Sequence, residues 1–400
     1  MRTNIIQLMP NKLQRKILQE CMLLSSCIYN MANYEVRQSF FKKQECPSFV
    51  DLRQRLQNKD DYKVLGRSYA LPRIQIYAET NSTRFKLIKS QKNVGLPKYL
   101  KNRKTNTTIP SYLVIDSLQY RLDKNKVTIP LSRNMRRKYG LSSFRINYNG
   151  ILKWKGRQKR GQIHFKDNKF YLHQSIDLPK PKAVKSRVCA GIDLGIKKLF
   201  AIKISNDEEK LIGRKRHFKQ WNYYTNLIAD EQSKLSKING KSSRRLKKLF
   251  GLRNKFQNNL YNNLTASAFK FLKKNNVDTI FIGDVNGIRD DADWGKVGNK
   301  MLHNYWAYNH LYKKISNKAE EYGMNYERNT EEYTSQTCPI CGVAESSHKK
   351  DRVFICSFCD YFGYRDLVGA ENILNMGMRG LSSAHQGEIA LLRGCGNATA

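Results

Sequence analysis

Two cysteine pairs constrain this chain more than any other feature of its sequence. Cys338 and Cys341 form one C-x2-C knuckle and Cys356 and Cys359 a second, 14 residues apart, so that four of the nine cysteines fall within 22 residues. That spacing lets four thiolates converge on one tetrahedral Zn2+, a structural site. The surrounding stretch, Glu331 to Asn372, reads EEYTSQTCPICGVAESSHKKDRVFICSFCDYFGYRDLVGAEN. Glu331 and Glu332 precede the knuckles and Asp366 follows them. A ribbon clipped by a metal returns its two ends to one place, which would set carboxylates side by side.

Charge defines the partner. Lysine and arginine number 73 against 33 acidic residues, a formal +40 over 400 residues. A polyanion relieves that self-repulsion, so nucleic acid is the expected partner, bound with a strong salt dependence. Ribosomal and membrane-surface proteins are also basic, but the length, the many aromatics and the isolated acids favour a larger nucleic-acid enzyme. No window approaches a membrane span, so no membrane partner and an intracellular location are expected. Cys21, Cys27, Cys46, Cys189 and Cys395 read as free thiols, mostly buried.

In the first half, Leu13, Ile17, Leu18, Cys21, Leu24, Ile28, Met31, Ala32 and Val36 repeat with helical period over 13–42. Further helices are expected over 51–63 and over 72–90, the latter starting at Pro72, giving a small helical unit. The basic stretch GLPKYLKNRKTNTTI, 95–109, reads as a linker or phosphate-contacting loop. Short alternating runs at 112–115, 126–129, 144–148, 162–165 and 169–176, with turns at Asn149-Gly150 and Lys166 to Lys169, predict a small antiparallel β-barrel of five to seven strands. Arginines and lysines at 133–138 and 153–160 supply charge for nucleic acid on its surface.

The second half begins abruptly at VCAGIDLGIKKLFAIKI, 188–204, a buried strand ending in Asp193 and a second strand from Leu199. A carboxylate there needs a cation or dense hydrogen bonding, so Asp193 is read as a metal ligand against the alternative of a turn cap. Helices follow over 217–237 and 242–275, a strand over 277–282 ending near Asp284, a polar mobile segment over 287–300 and a helix over 301–322 capped by Gly323. A strand over 324–329 delivers Glu331 and Glu332, and a helix runs from Asp366 to Met376. This α/β order places carboxylates at element ends, as metal-dependent phosphoryl transfer requires, because a pair of ions about 4 Å apart needs several oxygen ligands.

GIDLGIKKLFAI, FIGDVNGIRD, EEYTSQTCPICG and the second knuckle followed by GYRDLVGAENI together resemble the TnpB family, transposon-encoded RNA-guided DNA nucleases related to the compact type V CRISPR effectors. The resemblance is specific over 188–376 and architectural before it. It implies an RNase-H-like RuvC nuclease domain (184–337 and 361–378) interrupted by a zinc-binding target-nucleic-acid module (338–360). Ahead of these it implies a wedge β-barrel (first strand in 1–12, the rest 93–183) with a helical recognition insertion (13–92), and after them a flexible tail (379–400). By the same resemblance Asp193, Glu331 and Asp366 hold catalytic Mg2+, two ions, while Cys338, Cys341, Cys356 and Cys359 hold zinc.

Where most of the family carries glutamate at the end of the middle strand, this chain has Gly283, followed by Asp284. The resemblance extends to a subgroup with the glutamate moved to the strand before the zinc module, here Glu331, with Glu332 and Asp284 as alternatives. The implied partners are a guide RNA from the transposon end, double-stranded target DNA and their RNA:DNA hybrid, held by a monomeric protein. The implied location is a prokaryotic cytoplasm, nucleoid-associated when bound to DNA. The competing functions are a cleavage-inactive RNA-guided DNA-binding protein acting as a repressor, and a DNA transposase.

Overall fold

The structure, a computed structural model, describes residues 1–90, 93–179, 181–290, 293–330, 334–344, 346–348 and 352–394, by backbone alone at 82, 89, 346–348 and 381–394. It divides into two units, Met1–Pro179 and Lys180–Ala400.

The first unit opens with β1 (Arg2–Met9) and α1 (Lys12–Phe41). Asn11 starts α1 by a reciprocal cap: its Oδ1 accepts the Gln14 N–H and its own N–H donates to Gln14 Oε1. Ile17, Leu18, Cys21, Ile28, Ala32 and Val36 are buried, following the helical period, while Leu13 stays exposed. The single helix expected over 51–63 is instead two, α2 (Phe49–Leu56) and α3 (Asp60–Leu65). Asp60 and Asp61 sit in the first turn of α3, where the helix dipole favours acids and a new start. The next helix, α4 (Arg67–Lys89), begins five residues before Pro72 and carries it inside. Gly66 is the reason: its φ of +86° breaks the chain between α3 and α4, and a Cβ there would lie 2.6 Å from that of Ser132.

The strands β2 (Leu113–Ile115), β3 (Arg121–Leu122), β4 (Lys126–Pro130), β5 (Ser143–Asn149), β6 (Arg157–Lys166) and β7 (Lys169–Asp177) join β1 in one sheet. Its order is β2-β6-β7-β1-β5-β4-β3, every pair antiparallel. Asp167 and Asn168, both at positive φ, form the two-residue turn from β6 to β7. Asn149-Gly150 ends β5 without closing a hairpin, since β5 pairs with β1 and β4. Among the described residues the pairing runs open from β2 to β3 and shows no barrel closure. A short helix unexpected from the sequence, α5 (Arg133–Tyr139), follows β4, its Ser132 hydroxyl accepting the Met135 N–H. The stretch 95–109 is strapped to α1: Asn30 brackets the backbone of Leu100 and Asn33 Nδ2 donates to the Pro97 carbonyl.

The second unit holds β8 (Cys189–Asp193), β9 (Phe200–Ile204), β10 (Glu209–Ile212), α6 (Lys215–Lys237), α7 (Arg244–Lys274) and β11 (Thr279–Asp284). Then come α8 (Gly295–Asn299), a π-helical turn (Lys300–Tyr305), α9 (Tyr308–Tyr322), β12 (Asn325–Thr330), β13 (Ser346–His348), β14 (Val353–Cys356), β15 (Phe362–Tyr364) and α10 (Arg365–Gly394). The sheet order is β10-β9-β8-β11-β12, with β8, β11 and β12 parallel and β9 and β10 antiparallel to their neighbours. The helix expected over 301–322 breaks at Trp306 and Ala307. Buried Tyr261 compensates the break, its hydroxyl donating to the Tyr305 carbonyl at 2.7 Å and accepting the Ala307 N–H at 3.1 Å. Gly323 caps α9 at φ +71°. The segment 287–300, read as mobile and polar, contains α8, and α10 continues as helix to Gly394 where a flexible tail was expected from 379. Cys21 and Cys189 are buried free thiols and Cys27 and Cys46 half-buried ones; Cys395 lies outside the described residues.

The two faces of this sheet are packed differently. Ala190, Ile192, Ile280 and Ile282 face a large core with Trp221, Phe269, Leu311 and Tyr312. On the other face Cys189 and Phe281 meet Ile373 and Leu374 of α10. Gly191 permits that contact, since a Cβ there would lie 2.1 Å from the Ala370 carbonyl oxygen, a backbone atom that cannot step aside. Gly377 does the same on the α10 side, against the ring of Phe281. Gly191→Ala is therefore expected to pry α10 from β8 and cost at least about 2 kcal/mol. Thermal unfolding checks this, and an unchanged melting temperature would contradict it.

Candidate functional site

The glycine contact between β8 and α10 brings two distant acids together. Asp193 ends β8 and Asp366 sits in the first turn of α10. Gly369, one turn after Asp366, lies so close that its missing Cβ would stand 3.0 Å from Asp193 Oδ2. Asp366 is 7% exposed; one oxygen accepts from Arg352 at 2.9 Å, and the other, Oδ2, is buried with no hydrogen-bond partner among the described residues.

Both carboxyls are held above their usual range. Burial pushes Asp193 up to about 7, the neighbouring Asp366 adds to the rise, and Arg352 and Arg365 oppose it. Burial likewise raises Asp366, opposed by Arg352 and Arg365. A half-buried and a buried carboxyl, the second with an orphaned oxygen, are a donor set suited to a hard divalent cation.

These acids border an open cleft of about 1060 Å³. Lys197, Arg328, Arg352 and Arg365 share its wall, so it offers cations for phosphates beside oxygens for metal. Asp284, read as turned away, shares the sheet face of Ile280 and Ile282 but also borders this cleft; its oxygens accept the Asn286 N–H at 3.1 Å and its Nδ2 at 3.0 Å. Glu331 and Glu332 lie outside the described residues. The strand that leads to them is described: Gly283 pairs with Asn329 and Asp284 with Thr330, and both Asn329 and Thr330 border the cleft.

The four cysteines converge as the spacing predicts. Their sulfurs all lie within 4.8 Å of one another, with Cys338 and Cys359 3.6 Å apart and Cys341 and Cys356 3.5 Å apart. Four sulfurs each about 2.3 Å from a tetrahedral zinc stand roughly 3.8 Å apart, so the set fits that ion, and the separations are far beyond a disulfide bond. The N–H groups of Cys359 and Phe358 lower the Cys356 thiol, whereas burial and the neighbouring thiols raise Cys341 and Cys359, so the metal-free cluster shares its protons unevenly. The three-stranded sheet β13-β14-β15 carries the second knuckle, and Phe354 and Val368 pack with Cys338 and Cys356.

Two positioning residues escaped the sequence reading. Asn372 Nδ2 donates to the carbonyls of Thr334 and Thr337, each at 2.8 Å, fastening the chain that leads into the first knuckle onto α10. Arg352 both pairs with Asp366 and, through its carbonyl, accepts the Arg365 N–H. The signal for Asn372 was present: Asp366, Gly369 and Asn372 recur every third residue on the buried stripe of a helix, where polar side chains need partners.

Residues 308–373 match the Cas12f1-like TNB domain family and residues 171–289 the OrfB_IS605 family, described as a probable transposase. The TnpB-like protein ORF457 of Acidianus two-tailed virus is 28% identical over 93% of this chain and 86% of its own length. The CRISPR-associated endodeoxyribonuclease Cas12f1 of an uncultured archaeon is 25% identical over 54% of this chain, which spans 43% of that relative. Among solved structures, a Cas12f1 complex with sgRNA and target DNA aligns with a TM-score of 0.62 at 17% identity, covering 91% of this chain and 83% of the other. That likeness is one of fold. Among the described residues no helix is long and apolar enough to cross a membrane.

The raised Asp193 carboxyl gives a stability test. The folded chain keeps its proton up to about 7, whereas an unfolded aspartate loses it near 3.8. Stability therefore falls as pH rises between those values, and the cost is fully present above the higher one. In magnesium-free buffer, Asp193→Asn is expected to melt above the wild type at pH 8, the gap closing towards pH 4. Parallel curves across that range would show that Asp193 carries no such cost.

Proposed function

We propose, for a chain that belongs to the TnpB family with its kinship to the compact type V effectors, that it is an RNA-guided, divalent-metal-dependent DNA endonuclease. Asp193, Glu331 and Asp366 form its active site. The observation that carries this is the pair Asp193 and Asp366: a half-buried and a buried carboxyl, both raised, the second with an oxygen that has no hydrogen-bond partner among the described residues, in the wall of a cationic cleft.

Register supports Glu331 as the third ligand. Gly191 and Phe281 face α10, so Asp193 and Gly283, two residues on, share that face. Gly283 is level with Asn329, and counting on by two from Asn329 reaches Glu331, whereas Glu332 has the parity of Asp284. By this sequence parity Glu331, rather than Glu332, is our choice for the carboxylate that Gly283 lacks. Asp284 is engaged by Asn286 and stands on the opposite face.

In this reading Asp193, Glu331 and Asp366 hold Mg2+, which when bound supplies water activation and neutralises the leaving oxygen. The chain's own part is placement. Arg352 holds Asp366 at one oxygen, and the other would be available to hold the metal; Lys197, Arg328 and Arg365 grip phosphates along the cleft. The cysteines hold a structural zinc, and Asn372 ties the entry of that module to the helix carrying Asp366, so the clip fixes the spacing of the catalytic strand and helix. The first unit, with its helices, its antiparallel sheet in the wedge position and its basic surface, takes the guide RNA and target duplex. The guide comes from the transposon end, and the protein acts as a monomer in a prokaryotic cytoplasm.

With guide RNA and matched DNA in magnesium, alanine at Asp193, Glu331 or Asp366 is expected to lower cleavage more than about a hundredfold while leaving DNA binding intact. Glu332→Ala is expected to cut normally. Full cutting by all three variants would overturn the assignment, and a wild type that binds matched DNA without cutting would leave a repressor. Elemental analysis should return one zinc per reduced chain; its absence, with the protein folded, would remove the four-cysteine site.

A further inference from the structure

The segment between β11 and α9 holds a tryptophan at the rim of the cleft that contains Asp193 and Asp366. Trp294 borders that cleft, yet it is 52% exposed, whereas nearby Leu302, Tyr305 and Trp306 are at most 2% exposed. Its position is built rather than loose. Asp293 Oδ1 accepts the Gly295 N–H at 3.0 Å and Asn299 Nδ2 at 2.8 Å, while Asn299 Oδ1 accepts the Trp294 N–H at 2.9 Å. Gly295 takes φ +68°, and at Gly298 a Cβ would lie 2.5 Å from the Cβ of Trp294, so glycine is what lets the turn close behind this side chain. A turn so clamped keeps a large apolar ring in water, where it gains nothing from burial.

The surroundings define what would cover that ring. The same cleft carries Lys197 and Arg328, placed to take phosphates, and the carboxyls of Asp193 and Asp366. An exposed indole beside a row of phosphate-binding cations suits a nucleobase, because every base offers a π-face whatever its sequence. In a duplex both faces of each base are already covered by neighbours, so only an unpaired base can add a tryptophan to its stack. We propose that Trp294 stacks on an unpaired base of the DNA strand whose phosphate enters the cleft. It thereby positions that phosphate and favours single-stranded over duplex DNA at the point of cutting. Trp294 is a positioning residue here, and the identity of the strand rests on the nuclease reading above.

Two measurements on the full chain separate this proposal from that reading. Without divalent cation, a short oligothymidylate is expected to quench tryptophan fluorescence in the wild type, with the quenched fraction falling in Trp294→Phe and affinity dropping about tenfold in Trp294→Leu. In the guide-loaded protein with magnesium, Trp294→Leu should raise KM for single-stranded DNA about tenfold with kcat changed less than threefold, and Trp294→Phe should restore most of the loss. A single abasic position in the DNA should cost the wild type as much as Trp294→Leu does and cost that variant nothing further. If the wild type cuts nothing but the quench depends on Trp294, the nuclease reading fails and the stacking site stands. If cutting proceeds and Trp294→Leu matches the wild type in affinity and KM, or abasic positions cost both proteins equally, the stacking site is overturned.

Discussion

The site depends on one close approach: α10 lying flat on β8 where Gly191 leaves no side chain. Everything specific to the candidate chemistry follows from it. The helix brings Asp366 beside Asp193, and Gly369 removes the last obstacle to the Asp193 carboxylate. Two carboxyls forced together and out of water destabilise their own charged forms. In the proposed reading a bound cation resolves this arrangement, at the Asp366 Oδ2 that has no hydrogen-bond partner among the described residues.

The cysteine module serves the same constraint from outside the sheet. It lies between β12 and α10, the two elements that end and begin at the cleft. Its four sulfurs close a loop whose entry is pinned by Asn372 and whose exit runs through the Arg352 carbonyl into Arg365, next to Asp366. In the proposed reading a zinc bound there stiffens the insertion and so fixes where the strand stops and the helix starts.

Much of this was legible in the sequence because the signals are local. The C-x2-C pairs fix a tetrahedral cluster by spacing alone, and VCAGIDLG announces a buried strand that ends in an acid. Helix boundaries were less legible where glycine or a tertiary partner intervenes: Gly66 moves the start of α4 ahead of Pro72, and Tyr261, over forty residues away in sequence, makes a break at Trp306 tolerable. The Asp193–Asp366 contact could not be read from periodicity, since it depends on which glycine faces which helix. Asp284 shows the limit of parity: its face in the strand was readable, but the fact that a strand end still borders the cleft was not. Family resemblance supplied Glu331, which lies outside the described residues, beyond the end of the β11–β12 register at Thr330.

The central claim is that Asp193 and Asp366, completed by Glu331, hold divalent metal in this cleft. Crystals of the full chain grown with manganese and measured for its anomalous scattering test it most directly, with zinc at the four cysteines as the internal reference. The account predicts manganese between Asp193 and Asp366, with a Glu331 oxygen about 2.1 Å from it. Manganese absent from that position while zinc is present at the cysteines, or bound through Asp284 without Asp193 and Asp366, would contradict it.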